Sequence, residues 1–126
     1  MPKKPNKKTL RTKLDKIWSE IIRSKGQCEM CHKIGTNAHH IIGRRNLHLR
    51  WDLRNGCLLC SYCHIFSKNS AHQNPVNFMD FLDATRPEDI NYLRKEQQVI
   101  EDNFAYEDCY IALNSQLEEL KKLKIN

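Results

Sequence analysis

The segment His39–His64, HHIIGRRNLHLRWDLRNGCLLCSYCH, gathers paired histidines, an asparagine and a C-x-x-C pair with an adjoining histidine within 26 residues. Imidazole, amide and thiol groups are costly to bury without partners. Their concentration in one short segment therefore predicts that metal ions hold it together. The rest of the chain is then interpreted as a scaffold for this segment.

A second C-x-x-C pair, Cys28-x-x-Cys31, lies upstream of Cys60-x-x-Cys63, with 28 residues between the two pairs. Each short loop lets two sulfur atoms approach one ion, and four thiolates complete the tetrahedral shell of a structural Zn²⁺. The four cysteines therefore predict a closed zinc site that contributes to folding rather than to chemistry. His32 and Cys57 are alternative ligands, because a shell of three cysteines and one histidine is equally permissible. Otherwise Cys57 and Cys109 are free thiols.

Charge is unevenly distributed along the chain. Residues 1–68 carry 15 Lys and Arg against 4 Asp and Glu, a net +11, whereas residues 69–126 carry 6 against 11, a net −5. A basic surface around a reactive site indicates a polyanionic partner such as nucleic acid, although a merely soluble surface has the same composition. No apolar run approaches the roughly 20 residues of a membrane span, and the basic start lacks the apolar stretch of a secretory signal. We therefore expect a cytoplasmic protein whose cysteines bind metal.

The N-terminal part of the sequence predicts a basic arm followed by one helix. Residues 1–8 have no apolar residue after Met1, which predicts a flexible arm. Residues 9–25 form an amphipathic helix, capped by Thr9 and closed by Gly26. The helix is predicted from apolar residues at intervals of three and four, namely Leu10, Leu14, Ile17, Trp18, Ile21 and Ile22.

The central residues, 26–70, are expected to form the core of a single domain. Residues 37–42 and 57–60 are predicted as the two strands of a hairpin, because the first run is short and partly β-branched and the second is apolar. Residues 61–68 are predicted as a short helix that carries His64.

Residues 71–126 are expected to be a helical extension that packs on the core. Asn74 is a cap for a helix with Pro75 at its first position, and a second helix starts near Pro87. A third helix is predicted over residues 106–124, where apolar residues again fall on one side.

The ordered set His39-His40, Asn55, Leu58-Leu59, Cys60-x-x-Cys63 and His64 resembles the HNH endonucleases over roughly residues 26–70. The upstream Cys28-x-x-Cys31 is usual in the zinc-containing members, and the Gly-Arg-Arg and Arg-Trp-Asp elements are similar to those of small phage or prophage proteins. The resemblance implies two strands and a helix around one catalytic ion. The expected fold class is therefore α+β, with a small ββα-metal (HNH) core and a four-cysteine zinc site, flanked by an N-terminal helix and a C-terminal helical extension.

The resemblance also implies roles for single residues. His39 and His64 would bind one catalytic divalent cation, His40 would be the general base, and Asn55 would hold the loop and the His40 ring in orientation. Many members have Asp where His39 stands, and imidazole shifts the preference from Mg²⁺ towards Mn²⁺, Ni²⁺, Co²⁺ or Zn²⁺. Some members have a third histidine where this chain has Lys68, and His72 is an alternative for that ligand.

Four arginines in the basic segment are candidates for binding phosphate, because guanidinium groups bind phosphate with two hydrogen bonds: Arg44, Arg45, Arg50 and Arg54. The expected function is metal-dependent hydrolysis of DNA phosphodiester bonds to a 5′ phosphate and a 3′ hydroxyl, in the cytoplasm of a bacterium or a phage-infected host cell. A monomer would nick, and cutting of both strands would require a dimer or two encounters. The alternative is a non-catalytic, zinc-stabilised nucleic-acid-binding module, or an accessory protein that binds phage packaging or recombination proteins.

Overall fold

The computed structural model of the protein describes residues 6–125. Within this range the chain has a mixed α+β architecture, which confirms the predicted class. Its elements are α1 (Lys7–Arg23), β1 (Asn37–His40), β2 (Gly56–Leu59), α2 (Pro75–Thr85), α3 (Pro87–Glu96) and α4 (Tyr106–Ile125). A 3₁₀ turn at Leu53–Asn55 precedes β2, and one π-helical turn at Tyr62–Phe66 follows it. None of the helices described is long and apolar enough to cross a lipid bilayer.

Helix α1 begins two residues earlier than the sequence predicts. The side chain of Asn6 accepts a hydrogen bond from the backbone N–H of Thr9 at 2.8 Å, so Asn6 rather than Thr9 caps the helix. Lys7 and Lys8 therefore belong to α1 and not to a flexible arm, and residues 1–5 of the predicted arm lie outside the described residues. Gly26 ends this region with a φ of +86°, the left-handed conformation expected of it.

The hairpin separates two apolar clusters. Strands β1 and β2 pair antiparallel, with His39 opposite Cys57 and His40 opposite Gly56. Because successive side chains of a strand point to opposite faces, Leu58 packs in a cluster with α1 and α4, whereas Cys57 joins a cluster with α2 and α3. The hairpin thus presents one face to each pair of helices.

Helix α1 approaches β2 closely at Gly56. A Cβ atom at this position would overlap the side chain of Ile22 and would lie 3.0 Å from Cζ2 of Trp18. Only glycine lets the helix and the strand meet at this distance. The close approach fixes α1 against the hairpin beside His40, the residue of β1 that pairs with Gly56.

The predicted helix over residues 61–68 is a single π turn. The N–H of Ser67 donates to the carbonyl of Tyr62 at 2.8 Å, which closes the turn after five residues. The hydroxyl of Ser70 then donates to the carbonyl of Ile65 at 3.1 Å, and Nε2 of Gln73 donates to the same oxygen. Because side chains occupy a carbonyl that a longer helix would use, the chain turns back on itself after Phe66.

The helices of residues 71–126 begin where the sequence predicts. The side chain of Asn74 accepts from the N–H of Asn77 at 3.1 Å, with Pro75 at the first position of α2, and α3 starts at Pro87. Helices α2 and α3 cover one face of the hairpin, and α4 packs along α1 with Leu113 and Leu117 buried. The extension therefore closes both apolar clusters.

Candidate metal centres

The two C-x-x-C pairs meet in space. Cys28 and Cys63 are buried, Cys60 is half-buried and Cys31 is exposed, and the four sulfur atoms all lie within 4.8 Å of one another. The Sγ atoms of Cys31 and Cys60 are 3.6 Å apart. Two sulfur ligands of a tetrahedral ion with bonds of about 2.3 Å would be separated by roughly 3.8 Å. The cluster therefore has the dimensions of a site for zinc or another thiophilic metal.

The four thiols do not ionise equally in the absence of an ion. Burial opposes ionisation of Cys28, but backbone N–H groups around its sulfur lower the pKa of the thiol to about 7. Burial and the neighbouring cysteines raise the pKa of Cys63. For all four to be thiolates, a positive charge must lie between them, and a metal ion would supply it.

The two alternative sulfur-site ligands lie elsewhere among the described residues. His32 is exposed and has a left-handed backbone with a φ of +66°. Cys57 is buried, and burial, with the nearby Glu29 carboxylate, raises the pKa of its thiol. Neither belongs to the cluster of four, whose members are those of the two C-x-x-C pairs.

A second cluster consists of three histidines from three parts of the chain. His39 lies in β1, His64 lies in the π turn, and His72 lies in the segment that turns back after that turn. The distance from Nε2 of His64 to Nδ1 of His39 is 3.1 Å, and to Nε2 of His72 it is 3.0 Å. Nitrogen ligands about 2.1 Å from one ion lie roughly 3.0 Å apart at a right angle and roughly 3.4 Å apart at the tetrahedral angle.

The protonation of these rings favours a shared cation over hydrogen bonds among the histidines. Burial, and then the nearby His64 and His72, lower the pKa of His39 to about 3, so its ring is neutral. Burial also lowers the pKa of His64. One neutral nitrogen offers either a proton or a lone pair, so Nε2 of His64 cannot pair well with both neighbours. A single cation would use all three lone pairs.

His40 lies on the opposite face of the hairpin from this cluster. Its ring stacks flat on Trp18 of α1, with centroids 3.9 Å apart and an interplanar angle of 11°. Nε2 of His40 lies 2.8 Å from the carbonyl oxygen of Arg50. A carbonyl only accepts, so Nε2 carries the proton and Nδ1 keeps its lone pair. Burial lowers the pKa of His40, against the effect of this hydrogen bond, so the ring is neutral at neutral pH.

Asn55 is fully buried and bonds to the backbone of the loop between the strands. Its Oδ1 accepts from the N–H of Ile42 at 2.6 Å, and its Nδ2 donates to the carbonyls of Ile42 at 2.9 Å and of Leu49 at 3.0 Å. These bonds hold the loop that carries Arg50. Asn55 therefore supports His40 through the Arg50 carbonyl, and its hydrogen bonds run to the backbone rather than to the His40 ring.

Three of the four candidate arginines are ion-paired. Nη2 of Arg50 and Nη2 of Arg44 each lie 2.8 Å from the same oxygen of Asp15, and Nε of Arg54 lies 2.8 Å from Asp89. Burial opposes the ionisation of Asp15, yet its hydrogen bonds from Arg50 and Trp51 lower the pKa of this carboxyl. These pairs make Arg50 and Arg54 part of the scaffold.

The fourth arginine, Arg45, differs from the others. It is exposed, and within residues 6–125 it has neither a hydrogen bond nor an ion pair. The sequence does not rank the four, because the acidic partners of Arg44, Arg50 and Arg54 are distant in sequence. Asp15 and Trp18 were also not identified as parts of the site, although Trp18 was placed on the apolar face of the N-terminal helix.

The chain matches no protein-family model, and comparison with curated proteins and with solved structures gives no match either. The chemistry of the site is therefore the basis for a function. It comprises a cluster of four thiols, a cluster of three imidazoles and a neutral histidine that is held by α1 and a loop carbonyl.

Proposed function

We propose that the protein is a metal-dependent endonuclease of the HNH type that hydrolyses phosphodiester bonds of DNA. The observation that carries this proposal is the meeting of His39, His64 and His72 beside a hairpin that also bears the neutral His40. A zinc knuckle alone gives no reason for these histidines, because four sulfur ligands already complete a structural site. The net +11 charge of residues 1–68 suits a polyanionic substrate.

His39, His64 and His72 would hold one divalent cation. When bound, the cation supplies charge neutralisation at the phosphate and at the leaving oxygen. Three imidazoles favour Mn²⁺, Ni²⁺, Co²⁺ or Zn²⁺ over Mg²⁺, which prefers oxygen ligands. Because burial keeps His39 unprotonated, its lone pair is available at neutral pH.

His40 is assigned as the general base. The carbonyl of Arg50 holds the Nε2 proton, so Nδ1 is the atom that takes a proton from the attacking water. Stacking on Trp18 restricts rotation of the ring. The same carbonyl stabilises the imidazolium that forms, because it accepts a stronger hydrogen bond from a charged donor. Hydrolysis then leaves a 5′ phosphate and a 3′ hydroxyl.

The four-cysteine cluster is assigned to a structural Zn²⁺. It ties the loop at Cys28 to the start of the π turn. Cys63 and His64 are neighbours in sequence, so the zinc site would fix the backbone on which one ligand of the second cation stands. No cysteine would take part in the chemistry.

Arg45 is the first candidate for contact with a DNA phosphate. It follows β1 by a few residues and has no competing carboxylate partner among the described residues. Arg44 is 60% exposed and shares Asp15 with the more buried Arg50. A phosphate can therefore compete for Arg44 more easily than for Arg50.

The proposal is tested by nicking of supercoiled plasmid with Mg²⁺, Mn²⁺, Ni²⁺ or Zn²⁺ added in turn to the zinc-loaded protein. We expect the wild type to nick the plasmid in at least one of the transition metals. His40→Ala should abolish nicking while the zinc content and the far-UV circular dichroism remain unchanged. His40→Gln is a second variant, because it fills more of the space beside Trp18.

The matched control is His32→Asn. His32 is exposed, outside both clusters, and has a left-handed backbone that asparagine tolerates. This variant should nick like the wild type. Undiminished nicking by both His40 variants, in preparations free of contaminating nuclease, would overturn the assignment of the base. A wild type that holds zinc and binds DNA but cuts in none of the metals would instead favour the non-catalytic nucleic-acid-binding module.

A further inference from the structure

Two aromatic rings stand exposed on the π turn. Tyr62 is 65% exposed and Phe66 is 70% exposed, and Ile65 between them is 45% exposed. The other large hydrophobic side chains that are exposed within residues 6–125 are aliphatic. Cys63 and His64 are the residues of the π turn that belong to the two clusters. Tyr62 and Phe66 belong to neither cluster and are exposed, so packing within the chain does not account for the two rings.

The backbone beneath these rings is fixed at several points. The carbonyl of Tyr62 accepts from the N–H of Ser67 at 2.8 Å, and the carbonyl of Phe66 accepts from Nε2 of Gln73 at 3.2 Å. Tyr62 also lies between Cys60 and Cys63 of the sulfur cluster. The rings are therefore exposed on a backbone that hydrogen bonds fix in place. This lowers the conformational entropy lost when a planar group stacks on them.

The surroundings of the rings favour a nucleobase over a protein as that partner. Residues 53–79 contain no Asp or Glu, and of their two cations Arg54 is paired with Asp89, whereas Lys68 is exposed two residues after Phe66. Surfaces that bind single-stranded nucleic acid combine exposed aromatic rings, on which bases stack, with cations that attract the backbone. Carboxylates near the rings would repel a phosphate backbone but not an apolar protein surface, so their absence from this segment favours nucleic acid.

We propose that Tyr62 and Phe66 form a stacking surface for unpaired bases, and that the DNA bound at the histidine cluster is single-stranded or locally unpaired. The inference rests on the proposed function, because His64 lies in the same turn as both rings. Bases in an intact duplex already stack on one another and do not present their faces. A strand with unpaired bases would place them on Tyr62 and Phe66, with its backbone next to His64.

The test is fluorescence anisotropy with a labelled oligonucleotide, first as a single strand and then as a perfect duplex of the same sequence. Zinc-loaded full-length protein is used at one fixed salt concentration, without an added second metal. Tyr62→Ala and Phe66→Ala should each weaken binding of the single strand by about fivefold or more. Binding of the duplex should change by less than about twofold, and Phe66→Trp should retain wild-type binding.

Ile111→Ala is the matched control, because Ile111 is 66% exposed on α4. Its DNA binding should equal that of the wild type. All variants are checked for zinc content and thermal unfolding, and Phe66→Trp, which keeps an aromatic ring, covers the case in which an alanine variant folds poorly. Equal losses for single strand and duplex, or no loss for either, would overturn the proposal.

Two further outcomes separate this inference from its premise. If the wild type nicks plasmid but the alanine variants bind single strands normally, the stacking surface is refuted and the nuclease stands. If single strands bind through both rings but no metal supports cutting, the surface stands and the nuclease is refuted. A concentration-dependent dimer that Phe66→Ala abolishes, with DNA binding unchanged, would assign the rings to a second copy of the chain and so refute the proposal.

Discussion

Replacing Asn55 should be among the most damaging single changes in this protein. Its side chain makes three hydrogen bonds of 2.6–3.0 Å to the backbone of Ile42 and Leu49, and it is fully buried. A buried hydrogen bond contributes about 1 kcal/mol net, so Asn55→Ala should lower the free energy of unfolding by about 3 kcal/mol. Asn55→Asp keeps the acceptor but sets a carboxylate against two carbonyl oxygens. We expect at least the same loss at neutral pH, and a smaller one in acid sufficient to protonate the carboxylate.

The assay is urea unfolding followed by circular dichroism at a fixed concentration of free zinc, because bound metal adds to the apparent stability. Asn69→Ala is the control, since Asn69 is exposed in a turn and should change stability by less than about 0.5 kcal/mol. Activity should fall in both Asn55 variants, because the loop they loosen carries the Arg50 carbonyl that holds His40. A loss below about 1 kcal/mol for Asn55→Ala would refute the reasoning from these three bonds.

Three further predictions concern the metals and one histidine outside them. Cys31→Ser should lose zinc and plasmid nicking together, measured by metal analysis and gel assay, and nicking without zinc would contradict the structural role. His72→Ala should weaken Co²⁺ binding, followed by absorption, by about tenfold or more, whereas equal affinity would remove His72 from the site. Burial opposes protonation of His48, but the hydrogen bonds that its ring donates to the Glu101 and Glu96 carboxylates raise its pKa, so its stabilisation is full in mild acid and lost as pH rises through the folded pKa. His48→Gln should therefore destabilise more at pH 6 than at pH 8 by urea unfolding, and equal losses would contradict this.

The helices could be predicted from the sequence because their signals are local. Apolar intervals of three and four predict α1 and α4, and Asn74-Pro75 and Pro87 predict the starts of α2 and α3. The meeting of the two C-x-x-C pairs could also be predicted, because two such pairs at this spacing are typical of zinc sites when the cysteines do not form disulfides.

Contacts between residues distant in sequence explain the features of the site that could not be predicted. Asp15 lies 29 residues before Arg44 and 35 before Arg50, so nothing local shows that these arginines are occupied. The short helix predicted over residues 61–68 is one π turn because Ser70 and Gln73 bond the carbonyl of Ile65. The same turning back lets the N–H of His72 donate to the carbonyl of His64 at 3.1 Å, which places His72 in the cluster without a continuous helix.

The alternation of side chains in β1 limits where the proposed reaction can occur. His39 lies on the face of the hairpin covered by α2, where its ring meets Phe78, and His40 lies on the face covered by α1, where its ring stacks on Trp18. A phosphate can reach both only around the end of β1, since the strand itself separates the two faces. The loop that begins with Gly43 and bears Arg45 leaves the hairpin at that end. Under the proposed function, Arg45 would bind the same strand of DNA as the two histidines, and its charge should matter more for cutting than that of Arg50 or Arg54, which are already ion-paired.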